Sequence, residues 1–452
     1  MNPSRPDHAS GRLTSDEVSR AMRLSKAEGA LWALMIGFSE AYFVADAVRI
    51  GASTLQLGLV VTLPLFLGSG GSFLAVAALT RVKRRKTVAL TAVSLQSLVL
   101  CSIGVLETAG VMTPALLIAA ACAFQMMGQA AGIAWSSWFG DLVPAAVRGR
   151  YFAERSVLVT VSTSVGLITA GFLLQFLEPG PAAAVAGQVS GQGFRVIYGL
   201  GVLFRLLSVL MLGKSPEPAF RGVADRATAV RFFTSHRGHV ARRLILTGAL
   251  FYLTVYLASP YFGPYMLTRL NFAYWEYMTA TLCAVAFKSL LLPLWGRRID
   301  RRGARSVYIL AARMVALVPL PWLIARGFPV VVVAQCFSGA WWSAYEVSFF
   351  SLMLETSTSR ARPYLFAMQN FLNGISQLLG TLCGATLLGL PGWTMVRLFA
   401  VSMIGRTAVG LLLSRLVPPV DRRRRPEALR VVGMRNGGIG HRPIDPHIEL
   451  EE

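Results

Sequence analysis

Apolar blocks recur along the whole chain of 452 residues, and they constrain its fold more than any other feature. An α-helix needs about 20 apolar residues to span the hydrocarbon core of a bilayer. Inside the bilayer every backbone polar group must be satisfied within the protein, and a helix achieves this by itself. We therefore predict twelve transmembrane helices, at residues 29–48, 55–80, 87–106, 112–134, 153–177, 195–213, 244–268, 274–295, 306–325, 328–350, 363–390 and 394–414.

The positive charges of the chain are concentrated in alternate loops. Of the 44 Lys and Arg residues, 35 fall in the N-terminal segment, the tail and every second loop, whereas the other loops hold four. Loops that are rich in Lys and Arg stay in the cytoplasm. We therefore predict a bacterial inner-membrane protein with both termini in the cytoplasm and its basic loops against anionic lipids. The net charge of +22 then requires no nucleic-acid partner.

The sequence contains an internal repeat. Gly29-Ala30-Leu31 recurs as Gly248-Ala249-Leu250, and Tyr42-Phe43 recurs as Tyr261-Phe262, with one and the same offset between the copies. Both halves begin on the same side of the membrane, so we predict two six-helix bundles that are related by a parallel repeat with its axis along the membrane normal. In transporters with such repeats, the substrate site lies near the midplane between the halves.

This organisation divides the chain into five parts. The longest predicted cytoplasmic connection separates the spans into six and six, and the Arg-, Gly- and Pro-rich tail is typical of disorder. We predict a cytoplasmic N-terminal segment at 1–28, an N-terminal bundle at 29–213, a cytoplasmic linker at 214–243, a C-terminal bundle at 244–415 and a cytoplasmic tail at 416–452.

Two predicted cytoplasmic loops contain recognisable sequence motifs: the first runs from Gly296 to Arg305 and the second from Trp135 to Arg155. Both motifs resemble segments of the major facilitator superfamily once their residues are compared with it. The segment from Gly296 to Arg305 resembles the G-x-x-x-D-R-x-G-R-R signature of that family. The segment from Trp135 to Arg155 resembles a W-x-x-W-x-x-D-L-V-P-x-x-x-R-G-R-Y-F pattern in a poorly characterised bacterial branch of the family. The resemblance covers roughly residues 20–415 and implies the fold and a transport activity, but it supplies no substrate.

The resemblance also implies which loop residues control the conformation. In this family, Asp and Arg residues of the loops form a cytoplasmic charge relay that latches one conformation, and glycines permit a tight turn and close approach of helices. The N-terminal loop has Arg81 where the family has Asp, so we expect the loop around Asp300 to contribute more. The implied gating residues are Gly296, Asp300, Arg301, Gly303, Arg305, Asp141, Arg148, Arg150, Arg155 and Arg81.

Ionisable residues within an apolar span are costly and indicate function. Glu40 lies in the first span, which lines the cavity in this family. Removal from water favours the protonated form of a carboxyl group, which suits a proton-coupling residue. Pairing with a buried cation is the structural alternative for Glu40. Asp46 is three residues from Arg49, and there we predict a local ion pair.

Further polar residues lie in other spans. Lys288 and Glu346 lie at similar depth in two spans that face the cavity in this family, so we predict an ion pair or a substrate clamp, with Arg313 as a competing partner. Arg205 and Arg406 are repeat equivalents, and we predict a scaffold role for both. The candidates for polar contacts with substrate, for which internal packing is the alternative, are Gln125, Gln129, Tyr252 and Tyr256.

The sequence favours a carrier over an enzyme. No cluster of His or paired acids of the kind that a membrane-embedded transferase needs is visible, and no two of the five cysteines have the spacing of a metal or disulfide motif. We predict a monomeric secondary active transporter of a small solute, without a cofactor, with the proton as candidate coupling ion. Apolar and aromatic spans favour efflux over uptake. The alternative is a non-transporting sensor or assembly module on the same fold.

Overall fold

Helices make up the regular structure of the chain. The computed structural model describes residues 14–178, 191–218, 233–235, 238–356 and 362–417, all within one compact unit from Met1 to Pro418. These described residues contain helices and no strand, which confirms the predicted all-α class. Residues 219–232 and 236–237 of the predicted linker and the predicted tail beyond residue 417 lie outside the described residues.

The described part of the N-terminal half contains seven α-helices. A single 3-10 turn, Glu40–Tyr42, separates the first two of them, which together form the first span. The helices are α1 (Ser15–Phe38), α2 (Phe43–Arg49), α3 (Thr54–Val82), α4 (Arg85–Thr108), α5 (Pro114–Leu142), α6 (Ala145–Leu177) and α7 (Gln192–Gly213).

The C-terminal half follows the same order with more interruptions. A 3-10 turn, Ser259–Tyr261, and a π-helical turn, Tyr265–Arg269, interrupt its first span. The α-helices are α8 (His239–Tyr256), α9 (Phe262–Pro264), α10 (Tyr274–Arg302), α11 (Ala304–Ala316), α12 (Leu320–Leu323), α13 (Phe328–Thr356), α14 (Arg362–Leu388) and α15 (Met395–Leu416).

The helices account for the predicted spans. Eleven helical segments of the described chain are long and apolar enough to cross a membrane. The predicted span at 328–350 lies in the remaining long helix, α13, which has 29 residues. Polar residues such as Gln335, Ser343 and Glu346 lower the mean hydropathy of α13. The chain is therefore a multi-pass membrane protein.

The first helix begins well before its predicted start. Residues 1–28 were expected to form a polar segment outside the membrane, but α1 already starts at Ser15. Thr14 caps this helix, because its Oγ1 accepts from the backbone N–H of Glu17 at 3.3 Å while the Glu17 carboxylate accepts from the Thr14 N–H at 2.8 Å. Such reciprocal capping satisfies two N–H groups of the first turn.

Equivalent spans of the two halves break at equivalent residues. The turn Glu40–Tyr42 and the turn Ser259–Tyr261 are separated by the same offset as the repeated sequence motifs. In the second case Pro260 supplies no backbone N–H for the helical ladder. In the first case, which has no proline, Ser39 Oγ donates to Met35 O at 2.6 Å just before the break. The break thus belongs to the repeated scaffold, although different residues produce it.

Each broken span packs closely on the fifth span of its own half. A Cβ atom on Gly166 of α6 would lie 2.9 Å from Leu34 O, and one on Gly380 of α14 would lie 2.3 Å from Leu253 O. Leu34 and Leu253 are themselves repeat equivalents, since the same offset separates them. Only glycine permits such close approach of two helix backbones, so the predicted repeat extends to the packing of the helices.

Aromatic residues connect the two halves. Phe194 on α7 packs against Tyr274 on α10 with ring centroids 6.1 Å apart, and Tyr42 packs against Tyr277 of α10 at 6.5 Å. A third contact joins Phe66 of α3 and Phe371 of α14 at 6.2 Å. The first two contacts lie near the ends of spans that we predict to face away from the cytoplasm.

Candidate functional site

Glu40 lies at the break in the first span. Its side chain is half-buried, and among the described residues it forms no hydrogen bond or ion pair. The neighbouring residue Tyr42 is anchored instead, because its hydroxyl donates to Leu167 O at 2.7 Å. The alternative of a structural ion pair for Glu40 therefore finds no partner in the described part of the chain.

Asp46 forms the local ion pair that the sequence predicts. Its carboxylate lies 2.6 Å from the Arg49 guanidinium, and that guanidinium also lies 2.6 Å from Glu107 on α4. The Tyr198 hydroxyl donates to the second oxygen of Asp46 at 2.8 Å. All three charged side chains are buried, since none exceeds 4% exposure. This cluster, Asp46–Arg49–Glu107, ties α2 to α4 and α7.

Lys288 on α10 and Glu346 on α13 form the predicted ion pair across the C-terminal half. The ammonium nitrogen lies 2.7 Å from one carboxylate oxygen and 2.8 Å from the other. Each side chain is 44% exposed, in contrast to the buried Asp46–Arg49–Glu107 cluster. The ion pair is therefore accessible and not packed inside the bundle, and its role in binding stays a prediction.

Glu346 lines a cavity of about 210 Å³ between α8, α13 and α14. Tyr252 of α8 lines the same cavity, and its ring lies 6.1 Å from the ring of Tyr256. Both tyrosines are half-buried, and neither hydroxyl has a hydrogen-bond partner among the described residues. Tyr252 thus meets Glu346 at one cavity and Tyr256 packs beside Tyr252, whereas Arg313 takes no part in the ion pair.

The two predicted glutamines of the N-terminal half lie together on α5. Gln125 is half-buried and Gln129 is exposed, and both side chains lie over Gly68 of α3, where a Cβ atom would approach Gln125 Cγ to 2.8 Å and Gln129 Cγ to 3.4 Å. Neither amide has a hydrogen-bond partner in the part of the chain that the structure describes. Contact of these amides with a substrate stays a prediction.

A buried arginine that the sequence did not single out controls the N-terminal loop. Arg85, at the start of α4, donates from Nη1 to Asp141 at 2.5 Å and to Ser137 O at 2.9 Å, and from Nη2 to Pro218 O at 3.0 Å. Its backbone N–H donates to the Glu217 carboxylate at 2.6 Å. Arg85 thus fixes the chain beyond α7 to the ends of α4 and α5.

Arg305 makes the corresponding contact in the C-terminal half. It lies at the start of α11, and its Nε donates to Val417 O just beyond α15 at 2.8 Å. Gly303 precedes it with a φ of 85° and so permits the turn between α10 and α11, as predicted. A Cβ atom on Gly296 would meet nothing within 4 Å, so a role for this glycine in close helix approach stays a prediction.

The remaining predicted gating residues are placed differently. Arg81 and Arg301 are exposed. Arg155 contacts Glu28 at 3.0 Å and lies over the Trp135 ring at 4.1 Å, so it belongs to packing inside the N-terminal half. The side chains that lie outside the described part of the structure are those of Asp300, Arg148 and Arg150.

Arg205 and Arg406 are both buried, in agreement with a scaffold role. Arg205 of α7 donates to Ser208 Oγ at 3.2 Å and to the side-chain oxygen of Gln96. Arg406 of α15 donates to Ser402 Oγ and to Val255 O, each at 3.0 Å. The two residues occupy equivalent positions but have different partners.

Comparison with known proteins identifies solved structures that have the same fold. Residues 244–447 match the family model described as Major Facilitator Superfamily. The structure of a bacterial homolog of the human lysosomal transporter Spinster, inward-facing and unoccupied, has a TM-score of 0.62 at 14% identity and covers 90% of this chain and 95% of its own. No curated protein matches the chain in sequence.

Two further solved structures have the same fold. A D-xylose–proton symporter has a TM-score of 0.63 at 16% identity, covering 89% of this chain and 97% of its own. A variant of the nucleoside transporter NupG has a TM-score of 0.66 at 13% identity, covering 89% of this chain and 100% of its own. Since all identities are low, these similarities establish the fold and not the substrate.

Proposed function

From the match of residues 244–447 and the shared fold, we propose that the chain is a member of the major facilitator superfamily and a proton-coupled carrier of a small amphipathic solute. It is a transporter and not an enzyme. The observation that supports proton coupling is the carboxyl group of Glu40, which lies at the break in the first span and has no partner among the described residues.

Glu40 is suited to bind and release a proton. A carboxylate without a counter-ion in an apolar span gains from protonation, because the neutral acid is far less costly to remove from water. A short 3-10 stretch within a helical span often marks a hinge. The state of Glu40 therefore bears directly on the geometry of α1 and α2, and protonation shifts the balance between two conformations of the bundle.

The two halves provide a route for alternating access. They contact each other through Phe194–Tyr274 and Tyr42–Tyr277 at the end that we propose to be periplasmic. The accessible ion pair of Lys288 and Glu346 lies at a cavity, which we propose to be open to the cytoplasm. We propose that this arrangement is the inward-facing state, and that rocking of the two bundles exposes the same cavity to the periplasm.

Export is the proposed direction. The cavity next to Glu346 is lined mainly by aromatic rings, which favour amphipathic compounds that partition into membranes.

The carrier acts as a monomer in the inner membrane of a bacterium, with both termini cytoplasmic. A fluorescent-protein fusion at Glu452 should fluoresce and an alkaline phosphatase fusion there should be inactive. An active phosphatase fusion would contradict the orientation.

Two pairs of spin labels test alternating access without a known substrate. In a protein without its native cysteines, one pair replaces the exposed residues Arg81 and Arg297 and the other replaces Ala109 and Leu390 at the opposite end. A carrier should show two distance populations at each end, and one end should open as the other closes. A single unchanging population at both ends would favour the non-transporting module and contradict the carrier.

A further inference from the structure

The cavity between α8, α13 and α14 has an unusual combination of walls for a membrane protein. Five of its eight lining residues are aromatic, two are amides and one is the carboxylate of Glu346. Gln369 and Asn370 supply the amides from α14. No Lys, Arg or His contributes to this lining among the described residues. The cavity therefore offers π faces and one negative charge to a ligand.

The aromatic rings are held in fixed positions around Tyr252. Its ring lies 5.9 Å from Trp342 and 6.2 Å from Tyr345 between ring centroids. Tyr345 is buried and stacks on Phe251 at 5.2 Å, and its hydroxyl is paired with that of Tyr308 at 3.3 Å. Because these supports immobilise Tyr345, the cavity wall is already formed before a ligand arrives.

The negative charge of the cavity is neutralised from outside its lining. Lys288 reaches the Glu346 carboxylate from α10, and the pair keeps 44% of each side chain exposed. An exposed ion pair contributes little net stability, so exchanging its cation for another costs little. A second cation that enters the cavity can therefore take the place of the Lys288 ammonium.

We propose that this cavity binds an organic cation with an aromatic or other apolar body, which pairs with Glu346 in place of Lys288. The cation then lies against the face of Tyr252, where the ring quadrupole attracts positive charge. An anionic ligand would meet the same rings and a carboxylate, both of which repel it. This inference names the substrate class of the proposed carrier and rests on that function.

Equilibrium binding to the full-length protein in lipid nanodiscs tests the substrate class. The probes are benzyltrimethylammonium and benzenesulfonate, which share an aromatic ring and differ in the sign of their charge. Wild-type protein should bind the cation about tenfold more tightly than the anion. Protein-free nanodiscs give the background from partition into lipid. Equal binding of the two probes, or no binding of the cation above this background, would overturn the proposal.

Two variants distinguish two models of binding. In one, the ligand displaces Lys288 from Glu346; in the other, Lys288 and Glu346 hold the ligand together. Glu346→Gln should weaken cation binding about tenfold, whereas Lys288→Met should strengthen it severalfold because a competitor is removed. The exposed pair of Lys26 and Glu154, 2.6 Å apart, supplies matched controls. Lys26→Met and Glu154→Gln should bind as the wild type does. Loss of cation binding in Lys288→Met, or unchanged binding in Glu346→Gln, would contradict the proposal.

The aromatic wall is tested independently of the charges. Tyr252→Phe keeps the ring and should bind the cation as the wild type does, whereas Tyr252→Leu should weaken binding severalfold. Equal binding by these two variants would contradict the role of the ring. Binding requires no transport, so its outcome is separable from the spin-label experiment. Cation binding without reciprocal opening would refute the carrier alone, and reciprocal opening without cation binding would refute this inference alone.

Discussion

The N-terminal and C-terminal halves share a backbone plan but distribute their charges differently. In the N-terminal half, Asp46, Arg49 and Glu107 are buried together. In the C-terminal half, Lys288 and Glu346 are accessible, and Glu346 lines a cavity. Burial fixes charged groups in one geometry, whereas exposure leaves them free to exchange partners. The comparison suggests that charge stabilises the first half and recognises ligand in the second.

We expect the largest loss of stability from a substitution in the buried Asp46–Arg49–Glu107 cluster of the N-terminal half. Arg49→Met would leave the carboxylates of Asp46 and Glu107 buried without their cation. Such a change costs about 3–5 kcal/mol of unfolding free energy. Denaturant titration of the purified protein should show this loss, whereas Arg326→Met, at an exposed arginine, should have little effect. Similar stability of the two variants would show that the cluster is not structural.

Arg205 of α7 and Arg406 of α15 occupy equivalent positions, so the stability cost of removing each one can be compared between the two halves. Arg205 has Gln96 and Ser208 as partners, and Ser208 also contacts Glu28 at 3.3 Å. Arg205→Met leaves these polar side chains incompletely satisfied and should cost about 2–3 kcal/mol. In Arg406→Met, the Ser402 hydroxyl and one carbonyl lose a donor. The described contacts of Arg406 include no carboxylate, whereas Glu28 lies beyond Ser208 next to Arg205, so removal of the Arg406 cation should cost below about 1 kcal/mol. Denaturant titration of both variants compares the costs, and a larger loss for Arg406→Met would contradict the account.

Substitutions in the loops that we propose to be cytoplasmic should have the smallest effects. Arg85 holds the chain beyond α7 through several contacts, and Arg305 donates a hydrogen bond to Val417 O. Arg85→Gln should speed amide hydrogen exchange at Lys214, Ser215 and Glu217 about tenfold. Arg305→Gln should speed exchange at Val417, and Arg81→Gln should change neither. Exchange that responds equally to Arg85→Gln and Arg81→Gln would remove the proposed role of Arg85.

The sequence predicts the scaffold better than the site. Apolar block length, loop charge and the constant offset between repeated motifs predict the spans and the repeat, because these properties can be read from the order of residues alone. The break before Glu40 was not predicted, since no proline marks it. Arg85 was missed because it lies among five cations in six residues, and only distant groups such as Asp141 and Pro218 single it out. Residues that come together from separate helices carry no local signature.

For Lys288 and Glu346, the depth of each residue within its span was sufficient to predict their contact. Their similar depth predicts the ion pair that the structure contains. The aromatic wall beside Glu346 was only partly predicted, through Tyr252 and Tyr256. Trp342 and Tyr345 were missed because aromatic residues in an apolar span look like ordinary packing until the neighbouring helices are placed.

Glu40→Gln tests the central claim, that protonation of Glu40 drives the exchange between conformations. The spin-label pairs at the two ends of the wild-type protein should change their populations reciprocally as the pH is lowered, because Glu40 takes up a proton. Glutamine resembles the protonated acid in size and cannot ionise, so the variant should hold the low-pH populations at every pH while remaining folded. A variant that follows the pH as the wild type does would contradict the account.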